Sequence, residues 1–310
     1  MSGPCEKVFI DGKIVPFNDA VVSVYTLAFR FGAMVFEGLR SYWNETEREL
    51  FVFRLHDHSR RLEESVKIMR MQTNLSAPDF SKAVLEVLRA NNIQEGTHIR
   101  QFVYLTGTAE MSGKSPVNHA VVVTPKGGWF GKDGINVRVS SWKRISDTAM
   151  PPRVKCAANY QNGRLALLEA HADGYDGAIF LNEMGHVSEE ARGCLFLCKR
   201  DQVITPSVTS DILESITRET LIKIFCEELK IDVVEREVDR TELYTAQEIF
   251  LCGSGLEVVP VISVDHLPVG NGKPGKITSR ISEIYARTVK GEIRKYRSWL
   301  NPVYNQNTEI

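Results

Sequence analysis

A lysine and a tyrosine, Lys155 and Tyr160, lie five residues apart directly after the Pro151-Pro152 break. A carboxylate pair, Glu189 and Glu190, follows at a spacing that fits one helix plus one strand. A lysine amine condenses with an aldehyde to give a Schiff base. A neighbouring phenol can hydrogen-bond the oxygen ortho to that aldehyde on a pyridoxal ring. A carboxylate can hold the ring nitrogen protonated, which makes the ring an electron sink. Lys155, Tyr160 and Glu189 have the types and the order for these three roles. A lone lysine or glutamate is usually a solvated surface charge, so the chemistry rests on the set.

These residues need elements to hold them. Val8 to Ile14 reads as a hairpin turning at Asp11-Gly12. In the apolar run Thr26 to Trp43, Gly32 and Gly38 point to close backbone approach rather than an ordinary helix. Glu49 to Arg54 reads as a strand. Leu62, Val66 and Met69 predict a helix over 58–71. Ser76 and Pro78 open a second helix, with Phe80, Val84, Val87 and Leu88 on one face. Strands follow at 98–106 and 119–125, so the first part is two helices over an antiparallel sheet. The glycine-dense stretch 125–134 reads as an interdomain connection. Further strands fall at 135–142, 177–182, 194–199, 202–205, 248–252 and 258–264, with helices at 160–173 and 217–230. No further element is drawn beyond 264, and residues 305–310 are polar and expected to fray. The expected domains are 1–124 and 135–310, joined by 125–134.

Composition bounds the rest. A chain of 310 residues buries a full core and usually splits into two domains. A net charge of −1 leaves no electrostatic footprint for nucleic acid. No run of about 18 apolar residues offers a membrane span, and the N-terminus has no basic-then-apolar signal. The six cysteines form no Cys-x-x-Cys pair and read as reduced, buried thiols of a cytoplasmic protein. The histidines make no metal spacing; His56 and His58 point to different sides of a helix.

Eight stretches occur together in order: Val35-Phe-Glu-Gly-Leu-Arg40, His58-Ser-Arg-Arg-Leu62, His98-Ile-Arg100, Ser140-Ser-Trp-Lys-Arg144, Lys155-x-x-x-Asn-Tyr160, Val187-Ser-Glu189, Ile216-Thr-Arg218 and Cys252-Gly-Ser-Gly255. In this order the chain resembles the branched-chain amino-acid aminotransferases of the fold-type IV pyridoxal-phosphate family. The resemblance implies a two-domain α/β (α+β) fold with a small N-terminal and a larger C-terminal domain, and pyridoxal 5'-phosphate as cofactor. Lys155 resembles the catalytic lysine, Tyr160 the phenol at the ring hydroxyl, and Glu189 the partner of the ring nitrogen. Glu190 would be solvated or structural. Arg61 resembles the phosphate arginine and Arg60 a solvent-facing neighbour. Ile216, Thr217 and Ser254 complete the phosphate donors, with Thr217 also able to serve as a simple helix N-cap.

The same resemblance assigns Phe31, Phe36, Gly38, Arg40, His98, Arg100, Trp129, Gly255 and Leu256 to the substrate. Arg100 would take the distal carboxylate of glutamate or 2-oxoglutarate, and the Gly255 and Leu256 amides the α-carboxylate. Three positions depart from the family: His98 replaces a tyrosine in Tyr-x-Arg, Phe31 replaces another, and Lys126 replaces an aromatic before Trp129. The implied reaction moves the amino group of branched-chain L-amino acids to 2-oxoglutarate, in a homodimer or higher assembly. The alternatives are an (R)-amine or D-amino-acid transaminase of the same fold, or an aminodeoxychorismate-type lyase. The D-type favours Arg-x-His where this chain has His98-x-Arg100, and the lyase leaves Arg100 unexplained.

Overall fold

A computed structural model of the chain describes residues 3–125 and 133–305. It divides into two compact units, one of 1–127, 154–158 and 287–310, the other of 128–153 and 159–286.

In the first unit, β1 (Lys7–Ile10) and β2 (Lys13–Pro16) form the expected hairpin. Asp11 and Gly12 both have positive φ, 50° and 80°, as a two-residue type I′ turn requires. The short helix α1 (Leu27–Phe31) ends on Gly32 at φ 66°, and β3 (Met34–Asn44) follows. Next come β4 (Glu49–Phe53), α2 (Leu55–Ile68), α3 (Ala77–Ala90), β5 (Thr97–Leu105) and β6 (Val117–Pro125). Asp79 accepts from the Ser76 backbone N–H at 2.9 Å and closes a capping box at the start of α3. The antiparallel sheet runs in the order C-terminal strand Leu300–Pro302, β4, β3, β5, β6, β1, β2. Leu39, Ile99 and Val121 of the sheet pack with Val84, Val87 and Leu88 of α3.

The expectation that 135–310 forms one domain is corrected here. Residues 287–305 return to the first unit, where Leu300 pairs with Phe53. The carboxylate of Glu49, 1% exposed, fastens this return. It accepts main-chain N–H groups from Val303 at 3.0 Å, Tyr304 at 2.9 Å and Asn305 at 2.8 Å. Asn305 is therefore tied down rather than frayed. Removing a buried acceptor strands its donors, so Glu49→Ala should lower unfolding free energy by about 3 kcal/mol. Urea unfolding checks this, and an unchanged midpoint would show that the three bonds contribute nothing.

The second unit contains β7 (Ile135–Lys143), α4 (Tyr160–Ala172), β8 (Gly177–Leu181), β9 (Val187–Glu190), β10 (Cys194–Lys199) and β11 (Gln202–Thr205). Helix α5 (Ile216–Ile224) runs on into a π-helical turn, Phe225–Leu229. Then come β12 (Val233–Glu235), β13 (Glu248–Gly253), β14 (Glu257–Val264) and β15 (Leu267–Pro268). The mixed sheet is ordered β12, β11, β10, β13, β14, β7, β8, β9, with β15 on β14. Its parallel pairs are β11 with β12, β14 with β7, and β7 with β8. The last α-helix among the described residues, α6 (Lys276–Val289), begins in this unit, and its residues from 287 on are counted with the first. It lies beyond the last expected element, although Ile277, Ile281, Tyr285 and Val289 recur every four residues and the last three are at most 2% exposed.

The expected connection at 125–134 falls largely outside the described residues, as do Lys126 and Trp129. All six cysteines are free thiols; four are buried, Cys5 is half-buried and Cys226 is exposed. Among the described residues no helix is long and apolar enough to cross a membrane, and no group of side chains could hold a metal ion.

Candidate active site

β3 is the frame for the candidate residues of the first unit. Strand alternation sends Phe36, Gly38 and Arg40 to one face and Glu37 to the other. The register pairs Phe36 with Phe102, Gly38 with Arg100 and Arg40 with His98, and cross-strand partners share a face. Five of the expected substrate residues, Phe36, Gly38, Arg40, His98 and Arg100, are thereby brought to one face of two adjacent strands. The missing Cβ of Gly38 matters there: a Cβ would come within 3.3 Å of the His98 Nε2. Phe31, at the end of α1, is 41% exposed with the Arg30 guanidinium 4.8 Å above its ring.

Lys155 sits on a short segment that extends this sheet. The Phe36 N–H donates to the Lys155 carbonyl at 2.9 Å, and the Ala157 N–H donates to the Met34 carbonyl at 2.9 Å. Cys156 bridges Val35 between them. The segment uses the part of β3 that β4 does not reach, since β4 pairs only with Ser41–Asn44. Main-chain pairing therefore fixes the lysine, and its Nζ lies 5.1 Å from the Phe36 ring centroid.

On the other face of β3, Glu37 is fully buried. Arg61 grips it with two parallel bonds, Nε to Oε1 at 2.7 Å and Nη2 to Oε2 at 2.8 Å. The His58 Nδ1 meets Oε2 at 2.7 Å. Burial alone would raise the carboxyl; Arg61 and His58 outweigh it and hold Glu37 well below the usual carboxylate range. Burial pushes the His58 ring down in spite of Glu37, and because a carboxylate oxygen can only accept, Nδ1 is the donor of this bond. Arg60 points outward, 54% exposed and paired with Asp57 at 2.9 Å. Glu37 and His58 both lie in the stretches that carry the resemblance, but the sequence assigns neither of them a role in the site. A signal is present, because His58 and Arg61 are i and i+3 on one helix and so share a side.

In the second unit Tyr160 opens α4, next to the buried Asn159, whose amide donates to the Pro151 carbonyl at 3.1 Å. Glu189 on β9 is 5% exposed. Its Oε1 lies 2.7 Å from the Arg144 guanidinium, and its Oε2 accepts the Leu213 N–H at 3.2 Å. Arg144 is itself anchored by donating to the Asp211 carbonyl at 3.2 Å. The motif containing Arg144 is visible in the sequence, but its partner is not. Glu190 is structural rather than solvated: it is 1% exposed and bound by Arg192 at 2.9 Å.

The N-cap of α5 is Ser215, whose hydroxyl accepts the Arg218 N–H at 3.2 Å. This corrects the N-cap reading of Thr217, which lies inside the first turn and is 1% exposed. Ile216 and Thr217 therefore head a capped helix, where first-turn N–H groups and the helix dipole favour an anion. Ser254, Gly255 and Leu256 form the connection from β13 to β14, with Leu256 buried and the other two half-buried.

The amino-transferase class IV family matches this chain over residues 34–264, which spans β3 to β14. The chain belongs to the class IV aminotransferases. This aminotransferase is 39% identical to a probable branched-chain-amino-acid aminotransferase of Aquifex aeolicus, over 96% of the chain and 97% of that protein. Its fold is that of solved fold-type IV relatives. One is the branched-chain amino acid aminotransferase of Thermobaculum terrenum in PLP-form: 38% identity, TM-score 0.93, 97% of this chain and 99% of that one. Another is the T.th. branched-chain amino acid aminotransferase complexed with N-(5'-phosphopyridoxyl)-L-glutamate: 31% identity, TM-score 0.92, 96% of this chain and 99% of that one.

Proposed function

We propose that this aminotransferase moves the amino group of branched-chain L-amino acids to 2-oxoglutarate, using pyridoxal 5'-phosphate. The observation that carries the proposal is Lys155, an amine held by main-chain pairing against β3 and 5.1 Å from the Phe36 ring. The names and contents of the relatives support the same chemistry: branched-chain substrates, a PLP-form, and a phosphopyridoxyl-glutamate complex.

The residues present fit the cofactor. Arg61 and the first N–H groups of α5, with the Thr217 and Ser254 hydroxyls, are donors of the kind a phosphate takes. Glu189, buried with the Arg144 guanidinium and the Leu213 N–H on its carboxyl oxygens, suits a cationic ring nitrogen. Tyr160 would donate to the ring oxygen. The bound cofactor supplies an aldehyde for the amino group and a ring that accepts electrons from the substrate α carbon. Lys155 would hold the cofactor, release it to the substrate amine, and then move the proton at the α carbon. Phe36, Gly38, Arg40 and His98 would shape the face on which the side chain and α-carboxylate rest, with Phe31 beside it. The Gly255 and Leu256 amides would take the α-carboxylate.

Arg100 is proposed to select the acceptor, because a guanidinium binds a distal carboxylate in two parallel bonds. A panel of L- and D-amino acids and (R)-1-phenylethylamine against 2-oxoglutarate and pyruvate tests the whole assignment. Branched-chain L-amino acids should lead, and 2-oxoglutarate should exceed pyruvate. Arg100→Ala should lower the ratio of kcat/KM for 2-oxoglutarate over pyruvate by about 10²-fold, the size of a lost charge-assisted pair of about 3 kcal/mol. A ratio already favouring pyruvate, or one unmoved by the substitution, would remove this role and favour an amine or D-amino-acid transaminase.

A homodimer belongs to the same proposal. Val21, Val24, Tyr25 and Phe29 are 59–79% exposed along one stretch before β3, and a strip of large apolar side chains in water marks an association surface. The free thiols are in keeping with a cytoplasmic setting.

A further inference from the structure

We infer that Glu37 and His58 are positioning residues that set the direction of the Arg61 guanidinium toward the cofactor phosphate. This rests on Arg61 being the phosphate arginine. A guanidinium is planar and can meet an anion along two different edges, the side edge of Nε with one Nη, or the end edge of both Nη atoms. Glu37 takes the side edge, through Nε at 2.7 Å and Nη2 at 2.8 Å. Two parallel bonds fix the plane of the guanidinium as well as its position, which a single bond cannot do. The end edge is then aimed by the same contact.

His58 completes the arrangement. Its Nδ1 lies 2.7 Å from the Oε2 that also accepts from Arg61, so the carboxylate is held on both sides. Glu37 and His58 are 0% and 1% exposed, and Arg61 is 12% exposed. The cluster is therefore rigid at its inner end and reaches the surface only through the arginine. The sequence arrangement serves this geometry: Glu37 alternates away from the Phe36 and Gly38 face, and His58 and Arg61 are one turn apart on α2.

A rival account makes Glu37 a mere neutraliser of a buried cation. The two accounts differ in sign. Removing a neutralising charge would strengthen phosphate binding, whereas removing a positioning group weakens it. Dissociation constants of the apo-protein for pyridoxal 5'-phosphate and for pyridoxal, which lacks the phosphate, separate them. The quantity read is the preference for the phosphorylated form, compared within each folded variant so that general loosening cancels. Arg61→Ala should abolish most of that preference and Arg60→Ala should leave it unchanged, which tests the Arg61 assignment by itself. Glu37→Gln and His58→Leu should each reduce the preference about tenfold, the scale of one charge-assisted bond, with pyridoxal affinity nearly unchanged. If Glu37→Gln does not fold, His58→Leu still tests the inference, because it keeps the Glu37–Arg61 ion pair and removes the brace, a leucine having no donor. If Arg61→Ala lowers the preference while the folded Glu37 and His58 variants keep or raise it, the positioning role is wrong. If Arg61→Ala leaves the preference intact, the phosphate assignment itself has failed.

Discussion

Lys155→Ala should leave no measurable half-transamination of leucine, and the absorbance band expected of the yellow parent protein should shift to that of the unattached cofactor aldehyde. Both effects follow from the amine. In the proposed role it would hold the cofactor aldehyde and would move the proton at the substrate α carbon, and the Phe36 ring beside it could do neither. Loss of proton transfer alone is worth about 10²–10⁴-fold, and loss of the covalent attachment adds to it. Cofactor should still bind through the phosphate donors, so a titration of the variant separates lost chemistry from lost binding. Turnover at the parental rate would overturn the proposed role of Lys155.

Glu189→Gln should slow the proton-transfer step by roughly 10²-fold, a usual size for one preorganised electrostatic group. The substitution keeps the shape and removes the charge that would stabilise a protonated ring nitrogen. It also leaves Arg144, 2.7 Å away and 9% exposed, facing a neutral amide. Breaking a buried pair from one side costs about 3–5 kcal/mol of stability, so single-turnover rates must be read below the variant's unfolding transition. Glu190→Gln is the control. Glu190 is equally buried but engaged with Arg192 at 2.9 Å, so its loss should affect folding more than rate. Unchanged single-turnover rates with leucine in Glu189→Gln, or equal losses in both variants, would mean that the ring nitrogen has another partner.

Several of the first unit's elements are legible in the sequence because their signals are local, but α1, β3 and the strand Leu300–Pro302 are not among the expected elements. Asp11-Gly12 requires a tight turn, Ser76 with Pro78 opens a helix, and β5 and β6 alternate along their length. Helix α6, outside the expected elements, is also legible in principle, from Ile277, Ile281, Tyr285 and Val289. The α5 cap lies two residues before Thr217 because Ser215 and Thr217 are both competent caps. Only the backbone path decides which hydroxyl faces the free N–H groups.

The sequence by itself determined the family, through eight short stretches in order, and with it the class of chemistry around Lys155, Tyr160 and Glu189. Each stretch is recognisable because its residues are neighbours in the chain. The tertiary structure alone decided which residues share a charge. Glu37 meets Arg61 because β3 lies against α2, Glu189 meets Arg144 because β7, β8 and β9 are adjacent, and Glu49 holds residues 303–305 because the C-terminal strand pairs with β4. Such partners are set by strand register and by the cost of leaving a buried charge or N–H without one. Neither quantity is written in the periodicity or spacing of any single segment.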